Sequence, residues 1–180
     1  MGTIFIAGSY GVGKSTICDA LSQHLEMPHF SAGDLISRVN GETYGVTKAV
    51  SKKSENQDIL ATEIQRIHQI SPNILLAGHF CIFDKSNHVE PLPDSIYSNL
   101  NIDCILLLEA NPERIISNLG YRDKKIYTLD EISELIEAEN KHARSVAKAL
   151  SCPLLIHKMR FDGTDSDICV SLLRGGDSIK

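Results

Sequence analysis

Gly8, Ser9, Tyr10, Gly11, Val12, Gly13, Lys14 and Ser15 fit the pattern G-x-x-x-x-G-K-[ST], the Walker A motif or P-loop. The residue types follow from the chemistry of phosphate. Its oxygens are held by successive backbone N–H groups, and glycine lets the backbone wrap that closely. A helix beginning near Lys14 aims the positive end of its dipole at the anion. Lys14 sets a cation against the β- and γ-phosphates, and the Ser15 hydroxyl is suited to ligate Mg²⁺. Thr16 adds a donor toward the α-phosphate. The expected ligands are therefore ATP and Mg²⁺. The motif implies nucleotide binding and leaves the reaction open.

The elements around the motif suit it. Thr3 to Ala7 reads as a buried strand ahead of the loop, and Ser15 to Leu25 has helical spacing behind it. His29 to Ser31 is a weak second strand, and Gly33 opens a helix with Leu35, Ile36 and Val39 apolar. Residues 54 to 70 read as an amphipathic helix, and Asn73 to Ala77 as the next buried strand. Residues 78 to 93 read as a loop, and Ile102 to Leu108 as a central strand. A helix capped by Asn111 and started by Pro112 should end at Gly120. After a charged connection over 121 to 127 come a helix from Asp130 to Leu150, a strand from Pro153 to His157 and a helix from Asp165 to Leu173.

That alternation predicts a single α/β P-loop NTPase domain over residues 1–180, a five-stranded parallel sheet with helices on both faces. The bulk numbers agree: 180 residues with 42% hydrophobic content suffice for one core. A net charge of −5 without a basic stripe argues against nucleic acid as a partner. Cys18, Cys81, Cys104, Cys152 and Cys169 include no C-x-x-C pair, so a zinc site is not expected and small buried thiols are. An apolar strand begins by Thr3 and no run is long enough to span a bilayer, so the expectation is a cytoplasmic protein without membrane association.

The second substrate has to be sought elsewhere. His79 follows the carboxyl end of a buried strand, where open α/β sheets place ligands. It would either donate to a phosphate or base, or act as a structural hydrogen-bonder.

Several short segments resemble the nucleoside monophosphate kinases. Ser31-Ala32-Gly33-Asp34-Leu35 resembles the S-T-G-D-L segment of adenylate kinases, and Asp162-Gly163-Thr164 their D-G-T turn. Gly78-His79, Pro91-Leu92-Pro93 and a short lid over Tyr121 to Tyr127 are most similar to archaeal-type adenylate kinases. The resemblance implies that Gly33, Asp34, Arg38, Gly78 and His79 lie near the acceptor, with Asp34 holding Mg²⁺ through water. It implies that Asp162, Gly163 and Thr164 meet the adenine of ATP. Arg122, with Lys124 and Lys125, would be the lid cation on the transferring group. Two departures stand out. Ala77 replaces the family's acidic residue at the end of the third strand, and Phe80, Cys81 and Ile82 fill the stretch that holds an arginine in the bacterial enzymes.

The leading expectation is transfer of the γ-phosphoryl of Mg-ATP to a nucleoside monophosphate such as AMP, with Lys14 and Arg122 catalytic. Two alternatives remain open. One is a regulatory ATP-binding protein or ATPase acting through a protein partner, which Ala77 motivates; the other is a kinase for a non-nucleotide small molecule.

Overall fold

The apolar, β-branched start of the chain forms β1 (Gly2–Ala7), at the centre of the sheet. The computed structural model describes residues 2–40, 53–84, 86–120 and 126–176. A strand covered on both faces needs a continuous apolar run. Such runs make β3 (Asn73–Ala77) and β6 (Ile102–Glu109), the two neighbours of β1. The shorter β2 (His29–Ser31) and β7 (Leu154–Lys158) take the edges. The result is a five-stranded parallel sheet in the order β2-β3-β1-β6-β7.

The helices α1 (Lys14–Leu25), α2 (Ala32–Asn40), α3 (Lys53–Ile70), α4 (Ser95–Ser98), α5 (Pro112–Gly120), α6 (Leu129–Leu150) and α7 (Asp165–Gly176) flank this sheet. None of the described helices is long and apolar enough to cross a membrane. Thr128 caps α6 through a reciprocal box: its hydroxyl accepts the N–H of Glu131 at 3.2 Å, and Glu131 accepts the N–H of Thr128 at 2.8 Å.

The strand order positions the site. From β1 the chain crosses to β2 on one side, and β6 and β7 lie on the other, so the topology reverses at β1. Ligands of open α/β sheets sit beyond the carboxyl ends of strands at such a point. Ile6 is level with Ala77, and the N–H of Gly78 donates to the carbonyl of Ile6 at 3.0 Å. The P-loop and the Gly78-His79 segment therefore leave the sheet side by side.

Residues 78–93 depart from the expected loop. They hold an antiparallel hairpin of β4 (Cys81–Phe83) and β5 (Val89–Pro91). Three-residue strands are too short to show alternation, and β4 is buried throughout, so no polar face marks it. The Asp84 carboxylate ties the turn by accepting the N–H groups of Ser86 at 2.7 Å and His88 at 2.9 Å. The hairpin packs against α6. Behind it Phe5, Phe80 and Tyr97 form a buried aromatic cluster with ring centroids 4.9 to 5.7 Å apart.

Candidate functional site

The P-loop is a cradle only glycine can build. Gly8, Gly11 and Gly13 have φ of 141°, 74° and 103°. A Cβ on Gly8 would sit 2.4 Å from the carbonyl oxygen of Leu108, so the backbone of β6 reinforces the requirement. Asn118 of α5 donates to the carbonyl of Gly11 at 2.9 Å and pins the loop from outside. Lys14 Nζ donates to the carbonyls of Gly8 and Ser9 at 2.8 and 2.9 Å, holding the ammonium at the mouth of the loop. Ser9 and Val12 are buried, while Ser15 and Thr16 are exposed at the start of α1. No acidic side chain occupies the first turn of α1 and no side chain caps it, so its N–H groups suit an anion. These features fit a polyphosphate, and the exposed Ser15 hydroxyl is of a type that could hold a Mg²⁺ beside it.

Two cavities open from this loop, and Tyr10, Lys14 and Ser15 line both. The first, of about 590 Å³, extends toward β7 and α7 and is lined further by Thr16, Arg114, Asn118, Met159, Phe161 and Gly163. The Arg114 guanidinium lies 4.9 Å from the centroid of the Phe161 ring. That pair makes a flat surface suited to a nucleobase. Asp162 and Thr164 do not line this cavity. Asp162 instead closes its own turn, accepting the Thr164 N–H at 3.0 Å and hydroxyl at 2.6 Å. Of the three residues expected there, only Gly163 reaches the cavity wall.

The segment bearing Phe161 is anchored by Asp165, which is 5% exposed. Its carboxylate accepts the N–H groups of Arg160 and Phe161, both at 2.8 Å, and faces His157 Nε2 at 2.7 Å. Burial works to raise this carboxyl, but the Arg160 N–H, the His157 ring and the Phe161 N–H outweigh it and hold it below the ordinary aspartate value.

Arg114→Ala should weaken Mg-ATP binding by about 3- to 30-fold, the range of one partly desolvated cation–π contact. Calorimetric titration with Mg-ATP measures it. Unchanged affinity would mean that the base does not lie on this pair.

The second cavity, of about 200 Å³, lies on the other side of Lys14, between the P-loop, α2, α3 and the end of β3. Ile36, Leu60, Ile82, Leu92, Ile96 and Leu100 make most of its wall apolar. Gly33, Ala77, Gly78 and His79 also line it. A Cβ on Gly78 would fall 2.6 Å from the Phe5 ring, so glycine is what lets that ring reach the wall. Asp34 and Arg38 are exposed and are not among the lining residues. Ser31 acts at the start of α2 instead, its hydroxyl accepting the Asp34 N–H at 3.4 Å. Arg122, Lys124 and Lys125 lie outside the described residues. Among the described residues, Lys14 is the one lysine or arginine lining this cavity.

His79 is held from behind by a residue that sequence reading passed over. Glu139 of α6 is 1% exposed. Its carboxylate accepts the N–H groups of Phe80 at 3.0 Å and Cys81 at 3.3 Å, and lies 3.2 Å from His79 Nδ1. Burial pushes the Glu139 carboxyl up to about 7, with the Lys14 charge and the two backbone N–H groups working against it. The Tyr10 ring lies against the His79 imidazole with centroids 4.3 Å apart. A signal for Glu139 was present: it falls on the stripe Ile132, Leu135, Ala143 and Val146, which is otherwise apolar and buried.

Residues 7–136 match the AAA domain family. No curated protein matches the chain by sequence. Solved structures with a similar fold include a shikimate kinase from Bacteroides thetaiotaomicron, at a TM-score of 0.62 and 16% identity with 99% of both chains covered. A shikimate kinase from Acinetobacter baumannii in complex with shikimate has a TM-score of 0.63 at 14% identity, covering 100% of this chain and 95% of that one. A gluconokinase from Sinorhizobium meliloti has a TM-score of 0.58 at 11% identity, covering 99% of this chain and 94% of that one. Identities this low speak for the fold. The broad part of the resemblance drawn from sequence, a P-loop kinase domain, therefore holds. Its narrowing to adenylate kinases has no counterpart in these neighbours.

Proposed function

The chain belongs to the AAA domain family, and on that footing we propose that it transfers the γ-phosphoryl group of ATP to a small-molecule acceptor. The observation that carries this reading is the meeting of two cavities at Tyr10, Lys14 and Ser15. One suits a nucleotide and the other a second reactant, and the γ-phosphate position falls between them. Ser15 would help hold Mg²⁺ with the nucleotide, and the ion would supply neutralising charge to the phosphates. Lys14 and the backbone N–H groups of the loop orient the triphosphate and stabilise the charge that moves during in-line transfer. The resemblance to adenylate kinases is what assigns Arg122, which lies outside the described residues, to the transferring group in this proposal.

A nucleoside monophosphate is the less well supported acceptor. Its phosphate needs cations, and the acceptor cavity is mostly apolar. Ala77, where the resembling kinases have an acid, lines that cavity as well. The shikimate kinase and gluconokinase neighbours act, by their names, on hydroxyl compounds. They support the non-nucleotide reading. A cytoplasmic setting is part of the proposal: all the cysteines are free, and burial pushes the Cys18 and Cys81 thiols up to about 12.

The test is ADP release from Mg-ATP with and without shikimate, gluconate, adenosine or AMP. Acceptor-dependent ADP from a hydroxyl compound is expected. Acceptor-independent ADP at the same rate in every tube would favour an ATPase acting through a protein partner.

A further inference from the structure

Transfer to a phosphate and transfer to an alcohol ask different things of a site. A phosphate acceptor already carries its attacking oxyanion and needs cations. An alcohol must lose a proton as its oxygen bonds to phosphorus, so it needs a base within reach. The acceptor cavity offers one histidine on its wall, and that histidine is backed by a buried carboxylate. The carboxylate is fixed in turn by two backbone N–H groups of the next strand segment. This chain of contacts runs from α6 through His79 to the cavity that shares Lys14 with the nucleotide side.

We infer that His79 is the base that takes the acceptor's hydroxyl proton, that Glu139 is its positioning residue, and that the acceptor is an alcohol on a largely apolar body. The inference rests on the transfer reading above and narrows its substrate class. Both Glu139 oxygens accept backbone N–H groups, and in its ionised form the carboxylate only accepts, so in that form the 3.2 Å contact puts the ring hydrogen on Nδ1. Nε2 is then the basic nitrogen. In the step, the acceptor oxygen bonds to the γ-phosphorus as the bond from phosphorus to the β,γ-bridging oxygen breaks. The hydroxyl proton moves to Nε2, ADP leaves with the bridging electron pair, and His79 later returns the proton to water.

The pair does not titrate alone. Lys14 faces Glu139 from the P-loop side, and Cys81 of β4 and Tyr97 of α4 interact with it electrostatically. The Tyr97 hydroxyl donates to the carbonyl of His79 at 3.0 Å. His142, further along α6, lies 3.1 Å from Asp94, with its ring 5.9 Å from that of Phe80. Tyr10 covers the imidazole. The acid limb of activity therefore belongs to the His79–Glu139 pair as a unit.

The test uses the full chain, Mg-ATP, and shikimate, gluconate, adenosine, benzyl alcohol and AMP as probe acceptors. His79→Gln should lower kcat for the best alcohol by about 10²-fold or more, with Mg-ATP affinity kept within about 2-fold. Glu139→Gln should lower kcat and remove from its pH profile the contribution of the raised Glu139 carboxyl, because the group that orients the imidazole no longer titrates. Nitrogen-15 spectra of the wild-type histidines should show His79 as the Nδ1–H tautomer. That last measurement needs no variant to fold. An Nε2–H tautomer, or a His79→Gln enzyme with wild-type kcat on an alcohol, overturns the base assignment and leaves the kinase reading standing. Transfer to AMP alone overturns the alcohol class. A wild-type enzyme that releases no acceptor-dependent ADP with any probe overturns both readings.

Discussion

Lys14→Ala is expected to lower acceptor-dependent ADP release by at least about 10³-fold while the protein stays folded. The ammonium sits at the mouth of the loop, held by the carbonyls of Gly8 and Ser9. Among the described residues it is the cation common to both cavities. Its removal takes away charge that is needed most when the γ-phosphoryl is between donor and acceptor, so kcat should fall more than affinity. The loop should survive, because the positive φ of its glycines and the bond from Asn118 to Gly11 do not involve Lys14. A second effect follows from Glu139. The Lys14 charge works to lower that carboxyl, so without it the carboxyl should rise further. Steady-state rates, a melting curve and circular dichroism on one preparation check the main claim. A folded variant with wild-type turnover would remove Lys14 from the chemistry.

The P-loop was legible because its chemistry is local. Glycines, lysine and serine act together within eight consecutive positions, and the strand before them and helix after them have clear periods. The sheet was legible for the same reason: Ile74-Leu75-Leu76 and Ile105 to Leu108 are buried on both faces and read as such. The rest of the site is assembled from distant elements. Arg114 and Phe161 belong to α5 and the β7–α7 segment and meet only through the fold. His79 and Glu139 are 60 positions apart. Glu139 did leave a trace, a carboxylate on an apolar helical stripe, but it sits in a helix rich in glutamate, where helix-dipole charge explains acids equally well. The D-G-T turn shows the opposite error. Its residues matched in type and spacing, yet two of the three bond to each other at the surface, and the residues just before them, Met159 and Phe161, line the cavity.

Asp165→Ala should be the most destabilising single change near the site, at roughly 3–5 kcal/mol near neutral pH, the typical loss on removing one partner from a buried, hydrogen-bonded pair. The deletion leaves the N–H groups of Arg160 and Phe161 and the ring of His157 without the acceptor they share. For a domain of this size that corresponds to a fall in melting temperature on the order of 10 °C. The pH dependence has a definite sign. The folded carboxyl is held below its ordinary value, so its contribution is fully present above the unfolded value near 3.8 and is lost as pH falls through the lower folded value. The gap between wild type and variant should therefore be widest at neutral pH and narrow below about pH 3.8. Asp165→Asn should fall in between, since an amide oxygen can still accept while its NH₂ opposes one of the donors. The same anchor sets the segment that carries Phe161 against Arg114, so both variants should also lose Mg-ATP affinity. Melting curves at pH 7 and pH 3, with and without Mg-ATP, read all of this. A variant as stable as wild type at pH 7 would show that the buried carboxylate contributes nothing net, its desolvation cancelling its hydrogen bonds.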